Sequence, residues 1–243
     1  MAALIVLAMG AFVLVCLTVG FRLLALARRT RALPEAAMGV GFLLIGGLGY
    51  GLMASAGWAA QAGSAWLPWL WGGSLLAVSS GCACVAFFTW QVFSPDLRGR
   101  SLWIGLVLAT FGGLLGHGLS PGFDQIGLWG PWAWVGFAGR VGCLAWAGAE
   151  SLRYSAQIRK QLRIGLGDRE VGLRCMWWGI GAVAACGVFL RNGLAQILGQ
   201  LDLTAPSAAI PTVILGLIAS GAIWRAFFLR AEPSPEVARP PAS

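Results

Sequence analysis

Residues 11–51 read AFVLVCLTVGFRLLALARRTRALPEAAMGVGFLLIGGLGYG. One apolar run ends in Arg28, Arg29 and Arg31, Pro34 follows, and a second apolar run begins at once. A helix that crosses the hydrocarbon core of a bilayer needs about 20 predominantly apolar residues. Both runs meet that length. Pro34 suits the first turn of the second helix, where the N–H it lacks would have no partner anyway. Apolar run, short charged turn, apolar run is the grammar of consecutive membrane-spanning helices, and it recurs along the whole chain.

Working outward from this stretch, seven spans are predicted, at about 2–26, 36–57, 66–93, 101–119, 128–150, 171–198 and 207–229. Short connections carrying Pro95, Pro121 and Pro206 separate them. The predicted fold is an all-α integral membrane protein. Residues 1–230 form a seven-helix transmembrane domain, and the Pro-rich stretch 231–243 forms a disordered cytoplasmic tail. The opening MAALIVLAMG lacks a basic n-region and runs on too long for a signal peptide, so it is read as a true first span. Residues 151–170 are expected to carry the fifth helix past the bilayer, with Gly165 and Gly167 ending it and Asp168 capping the next.

Composition agrees. The chain is 58% hydrophobic and 11% charged, against about 25% charged in a soluble domain. Mean hydropathy is +0.77. The net charge of +8 would raise nucleic-acid binding for a soluble protein. Here the basic residues fall after spans one, three, five and seven, while the connections after spans two, four and six contain no Lys or Arg. By the positive-inside rule the N-terminus lies outside and the C-terminus in the cytoplasm, in a multi-pass plasma (cytoplasmic) membrane protein. Trp58, Trp66, Trp69, Trp129, Trp132 and Trp134 crowd the outer side as an aromatic belt. The charge is therefore topogenic, with anionic lipid as a partner and no nucleic acid.

Two basic residues escape this accounting. Arg140 falls near the middle of the fifth span, where a charge costs about 2.5–3.5 kcal/mol on insertion scales and has to face something other than lipid. Arg191 falls in the sixth. Asn192, Gln196 and Gln200 follow at four-residue spacing and share one helix face. His117, the only histidine, closes the fourth span. Together they predict a polar cavity open to the outside, with Arg140 deepest, Arg191 above it, and Asn192, Gln196 and His117 on its wall. Arginine holds carboxylate or phosphate through paired donors, so the ligand expected is small and anionic or amphipathic. The plainer roles are a helix tie for Arg140, a pairing of Arg191 with Asp202 or Asp124, and interhelical glue for the Asn/Gln stripe. Gly112 and Gly116 form a GxxxG pair, and Ser79, Ser80 and Thr89 are expected to bond locally.

Catalysis finds little support, since no HExxH, GxSxG or phosphate loop is present. No cofactor is expected. One histidine does not suffice for bis-histidine haem, the only lysine, Lys160, lies in a cytoplasmic connection, and the six cysteines show no CxxC pair. The reading reached is a receptor- or sensor-like bundle signalling to a separate cytoplasmic protein. A carrier is the alternative: seven spans suit a three-plus-one-plus-three plan, which resembles the sugar-carrying SWEET transporters in topology alone. The third class is a membrane assembly or scaffold protein without a ligand.

Overall fold

The structure, a computed structural model, describes residues 2–124, 126, 130–197 and 206–228. It is all-helical, with no strand among the described residues. The helices are α1 (Ala2–Thr30), α2 (Leu33–Phe42), α3 (Tyr50–Gln61), α4 (Leu67–Phe93), α5 (Leu97–Leu119), α6 (Pro131–Leu162), α7 (Arg169–Ile197) and α8 (Pro206–Phe228). A π-helical stretch, Leu43–Gly49, joins α2 to α3 into one continuous rod. The tail beyond Phe228 and the residues Trp129, Gln200 and Asp202 lie outside the described residues.

Local chemistry sets the helix ends. Proline occupies the first turn of α2, α4 and α6. Asp96 Oδ1 accepts the Gly99 N–H at 2.8 Å and starts α5. Asp168 Oδ1 accepts from the Glu170 N–H at 2.8 Å and starts α7, while Gly165, at φ 76°, ends the turn after α6 in the left-handed conformation.

Six helical segments are long and apolar enough to cross a membrane: Val6–Thr30, Leu33–Gln61, Leu67–Phe93, Leu97–Leu119, Arg169–Gly193 and Ala209–Phe228. The long helix missing from that set is α6. Arg140, several Trp and Gly, and Glu150 with Arg153 lower its hydropathy.

Neighbours close into a ring. α1 packs on α2, the α2–α3 rod on α4, α4 on α6, α6 on α7, α7 on α8, and α8 returns to α1. α5 is clipped on the outside, against α4 and α6, and is the least buried of the six apolar segments. Inside the ring lie Cys16, Val19, Met38, Cys82, Val85, Cys143, Ala147 and Trp178. Phe42, Trp178 and Phe227 meet edge to face, with centroids 5.7–6.2 Å apart.

The π-helical stretch lies where backbones crowd. A Cβ at Gly46 would sit 2.2 Å from the Cys16 Cβ. The wider turn disturbs the regular i→i−4 ladder, and the buried Ser74 Oγ of α4 donates to the Gly49 carbonyl at 2.9 Å.

Arg28, Arg29 and Arg31, Arg98 and Arg100, and Arg159, Lys160 and Arg163 lie in or beside the α1–α2, α4–α5 and α6–α7 connections, which define one end of the bundle, hereafter the basic end. α6 runs on beyond the expected span limit near 150, as expected for residues 151–170, and ends at Leu162. Its extension docks on the start of α7, where Ser155 Oγ donates to the Gly172 carbonyl at 2.8 Å and Ile158 is buried against Gly172.

Candidate functional site

Arg140 is the tenth residue of α6, about 14 Å along the helix from its start. Its side chain runs back toward the helix N-terminus, as long side chains on helices do. Nη1 lies 3.4 Å from where a Gly136 Cβ would be. The guanidinium therefore lies at the junction of α4, α5 and α6, where glycines leave it room. A Cβ at Gly113 of α5 would be 2.1 Å from the Gly136 nitrogen, and one at Gly139 would be 2.4 Å from Thr110 Oγ1.

The residue is 8% exposed. Nη1 donates to Ser79 Oγ on α4 at 3.3 Å, and no carboxylate pairs with it among the described residues. Cys82 of α4 and Cys143 of α6 lie within its electrostatic reach. Thr110 is fully buried and its hydroxyl lacks a hydrogen-bond partner. The Cys143 thiol lies beside that hydroxyl, but not in hydrogen-bonding geometry. A helical threonine commonly bonds the carbonyl one turn back, as Thr89 does to Val85 at 2.9 Å. Thr110 does not.

His117 continues this polar column toward the end opposite the basic one. It is 6% exposed, lies within the electrostatic reach of Arg140 and has Gly122 packed against its ring. Phe123 covers it, its ring edge-on to the imidazole at 5.3 Å. The Phe123 ring is seated on Gly72 of α4 and Gly118 of α5, where added Cβ atoms would meet it at 3.1 and 2.7 Å. Above Phe123 opens a cleft of about 230 Å³, walled also by Pro68, Trp69, Ser120 and Asp124. Phe123 separates this cleft from the buried column.

Arg191 and Asn192 belong to a second cluster. Arg191 Nη1 donates to Asn192 Oδ1 at 3.3 Å, and Thr212 Oγ1 of α8 donates to the same oxygen at 3.4 Å. This ties α7 to α8. No hydrogen bond or ionic contact joins it to Arg140 among the described residues. Of the predicted site, the structure thus brings Arg140 and His117 together and places Arg191 with Asn192 elsewhere. Gln196 lies on α7, but its side chain is outside the described residues.

Sequence reasoning missed Ser79 and Thr110 as members of the site. Ser79 was expected to bond locally, as Ser151 and Ser220 do to carbonyls one turn back. Its role depends on α4 lying against α6, and no local pattern encodes that contact.

No protein-family model, curated protein or solved structure matches this chain.

Proposed function

We propose that the protein is a seven-pass receptor- or sensor-like membrane protein that binds a small anionic or amphipathic molecule at Arg140, entering from the outer side, and signals to a separate cytoplasmic protein. In this reading α6 is the seventh span and the basic end faces the cytoplasm. One observation carries the proposal: a guanidinium with five donors, buried at mid-bundle, has a single hydroxyl partner and no counter-ion among the described residues. A carboxylate or phosphate would supply the missing charge and acceptors. The orphan Thr110 hydroxyl and His117 would complete its shell, and Phe123 would leave its glycine seat to admit it.

The basic half of the bundle favours a sensor over a carrier. Below Arg140 the core is mainly apolar, built from Cys143, Leu144, Ala147, Val85 and Ala86 around the Phe42–Trp178–Phe227 group, and the buried Thr89, Ser151, Ser155 and Ser220 hydroxyls there each donate to a backbone carbonyl. A carrier needs a polar route through both halves.

The test is a thermal-shift screen of purified protein against small carboxylates and phosphates. A ligand at 100 times its Kd stabilises the native state by about 2.7 kcal/mol. Wild type should respond to at least one anion. Arg140→Gln should insert and fold but lose that response, while Arg191→Gln should keep it. An unchanged response in Arg140→Gln would leave Arg140 a purely structural residue, and no response to any anion in wild type would favour the scaffold class.

A further inference from the structure

At the basic end, two arginines are held over aromatic rings. Arg22 Cζ of α1 lies 4.4 Å from the Phe228 ring centroid of α8, and Arg225 Cζ of α8 lies 4.7 Å from the Trp177 ring centroid of α7. Phe228 is itself stacked on Trp224 at 4.1 Å and 14°. Both arginines are exposed, and neither has a hydrogen bond or ion pair among the described residues.

The acids described at this end all have other partners. Glu35 accepts from Thr30, Asp96 caps α5, Glu150 pairs with Arg153, Asp168 caps α7 and Glu170 pairs with Arg174. A ring face attracts a guanidinium but accepts none of its in-plane hydrogen bonds. Arg22 and Arg225 are therefore positioned cations with their donors unspent.

Depth decides what they meet. Arg22 lies eight residues inside the end of α1, about 12 Å along the helix, well inward of Arg28 and Arg29. At that level the surroundings are exposed apolar groups, Phe21 of α1 and Trp224 of α8. A free anion in water reaches Arg28, Arg29 and Arg31 first. A phosphate that arrives with acyl chains can sit against Arg22 or Arg225 while its chains cover the apolar flanks of α1 and α8.

We infer that Arg22, held over Phe228 at the α1–α8 seam, and Arg225, held over Trp177 at the α7–α8 seam, bind the phosphates of anionic phospholipids on the basic face of the bundle. These contacts are independent of Arg140. They would make the packing of α1 and α7 on α8 sensitive to the lipid composition of that leaflet.

The test titrates phosphatidylglycerol or phosphatidylcholine onto the purified full chain in detergent, with lipid retention read by native mass spectrometry and stabilisation by thermal shift. Phosphatidylglycerol should bind in preference to phosphatidylcholine. The Arg22→Gln/Arg225→Gln double variant should lose about thirtyfold in phosphatidylglycerol affinity, about fivefold for each arginine near anionic lipid. Arg28→Gln/Arg29→Gln and Arg140→Gln should stay within about twofold of wild type, since their charges lie outside the site. If the double Gln variant does not fold, Arg22→Lys/Arg225→Lys carries the test. It keeps the charge but loses the flat stacked fork, so a measurable loss supports the site and full retention overturns it. Equal binding of the two lipids, undiminished affinity in the double Gln variant, or displacement of the lipid by inorganic phosphate at matched concentration would each overturn the inference.

Discussion

A charge in the middle of a helix bundle can be there for two opposed reasons, and they respond in opposite ways to one substitution. If Arg140 ties helices together, removing it weakens the fold. If it waits for an anion, the empty protein bears an uncompensated charge and removing that charge strengthens the fold. The geometry favours the second case, because a single 3.3 Å bond to Ser79 is a poor tie for a group with five donors. Arg140→Met keeps the length of the side chain and removes the charge. The expected result is a gain of about 1–3 kcal/mol in the stability of the ligand-free protein, by analogy with apolar replacement of buried ionic groups, together with loss of anion-induced stabilisation. Thermal or denaturant unfolding in detergent, with and without anion, reads both effects. A loss of stability in the ligand-free variant would assign Arg140 to the tie.

Between elements, the contact that builds the site is the close crossing of α5 and α6. Gly113 faces the Gly136 backbone, Gly116 lies under the Trp132 ring, and Gly139 receives Thr110. Lipid tails are as apolar as leucine, so helices in a bilayer are held by such close packing rather than by water exclusion. Gly113→Ala should destabilise by about 1–3 kcal/mol through overpacking. Gly112→Ala, one residue away with open space around it, should be neutral or gain up to about 1 kcal/mol from helix propensity. Unfolding of the two variants side by side separates packing from propensity, and equal effects would refute the crossing. The same pair marks how far sequence reading reached. The GxxxG spacing selects Gly112 with Gly116, whereas the interface uses Gly113 with Gly116, since a spacing rule does not reveal which face meets a neighbour. Helix ends, the Asp168 cap and the Gly165 stop were legible because each is written in a few adjacent residues. Arg140 was legible because a buried charge is conspicuous in an apolar run. Ser79, Thr110, the Phe123 cover and the π-helical stretch were not. Each depends on two helices distant in sequence lying side by side.

For the whole molecule the open question of number is carried by α6. Hydropathy alone favours six crossings, because α6 is the long helix that falls short. Three physical arguments support the proposal that it is a seventh. α6 is 32 residues long, about 48 Å, ample for a core of about 30 Å. Its Arg140 is buried on α4 and α5 rather than offered to lipid, so hydropathy, which scores the residue without regard to the face it occupies, understates α6 as a span. Its two flanking connections also differ in charge: that before α6 carries Asp124 and no Lys or Arg, and that after it carries Arg163, with Arg169 opening α7. The positive-inside rule puts the first outside and the second in the cytoplasm. A reporter active only outside the membrane, fused after Pro121, should therefore be active, and the same reporter fused after Gly165 should be silent. A fluorescent reporter that matures only in the cytoplasm should show the reverse. Six crossings with α6 lying along the surface would put both fusions on one side, and each reporter would then read the same at both positions. Because Pro121 and Gly165 flank only α6, the comparison decides its crossing without reference to any other helix.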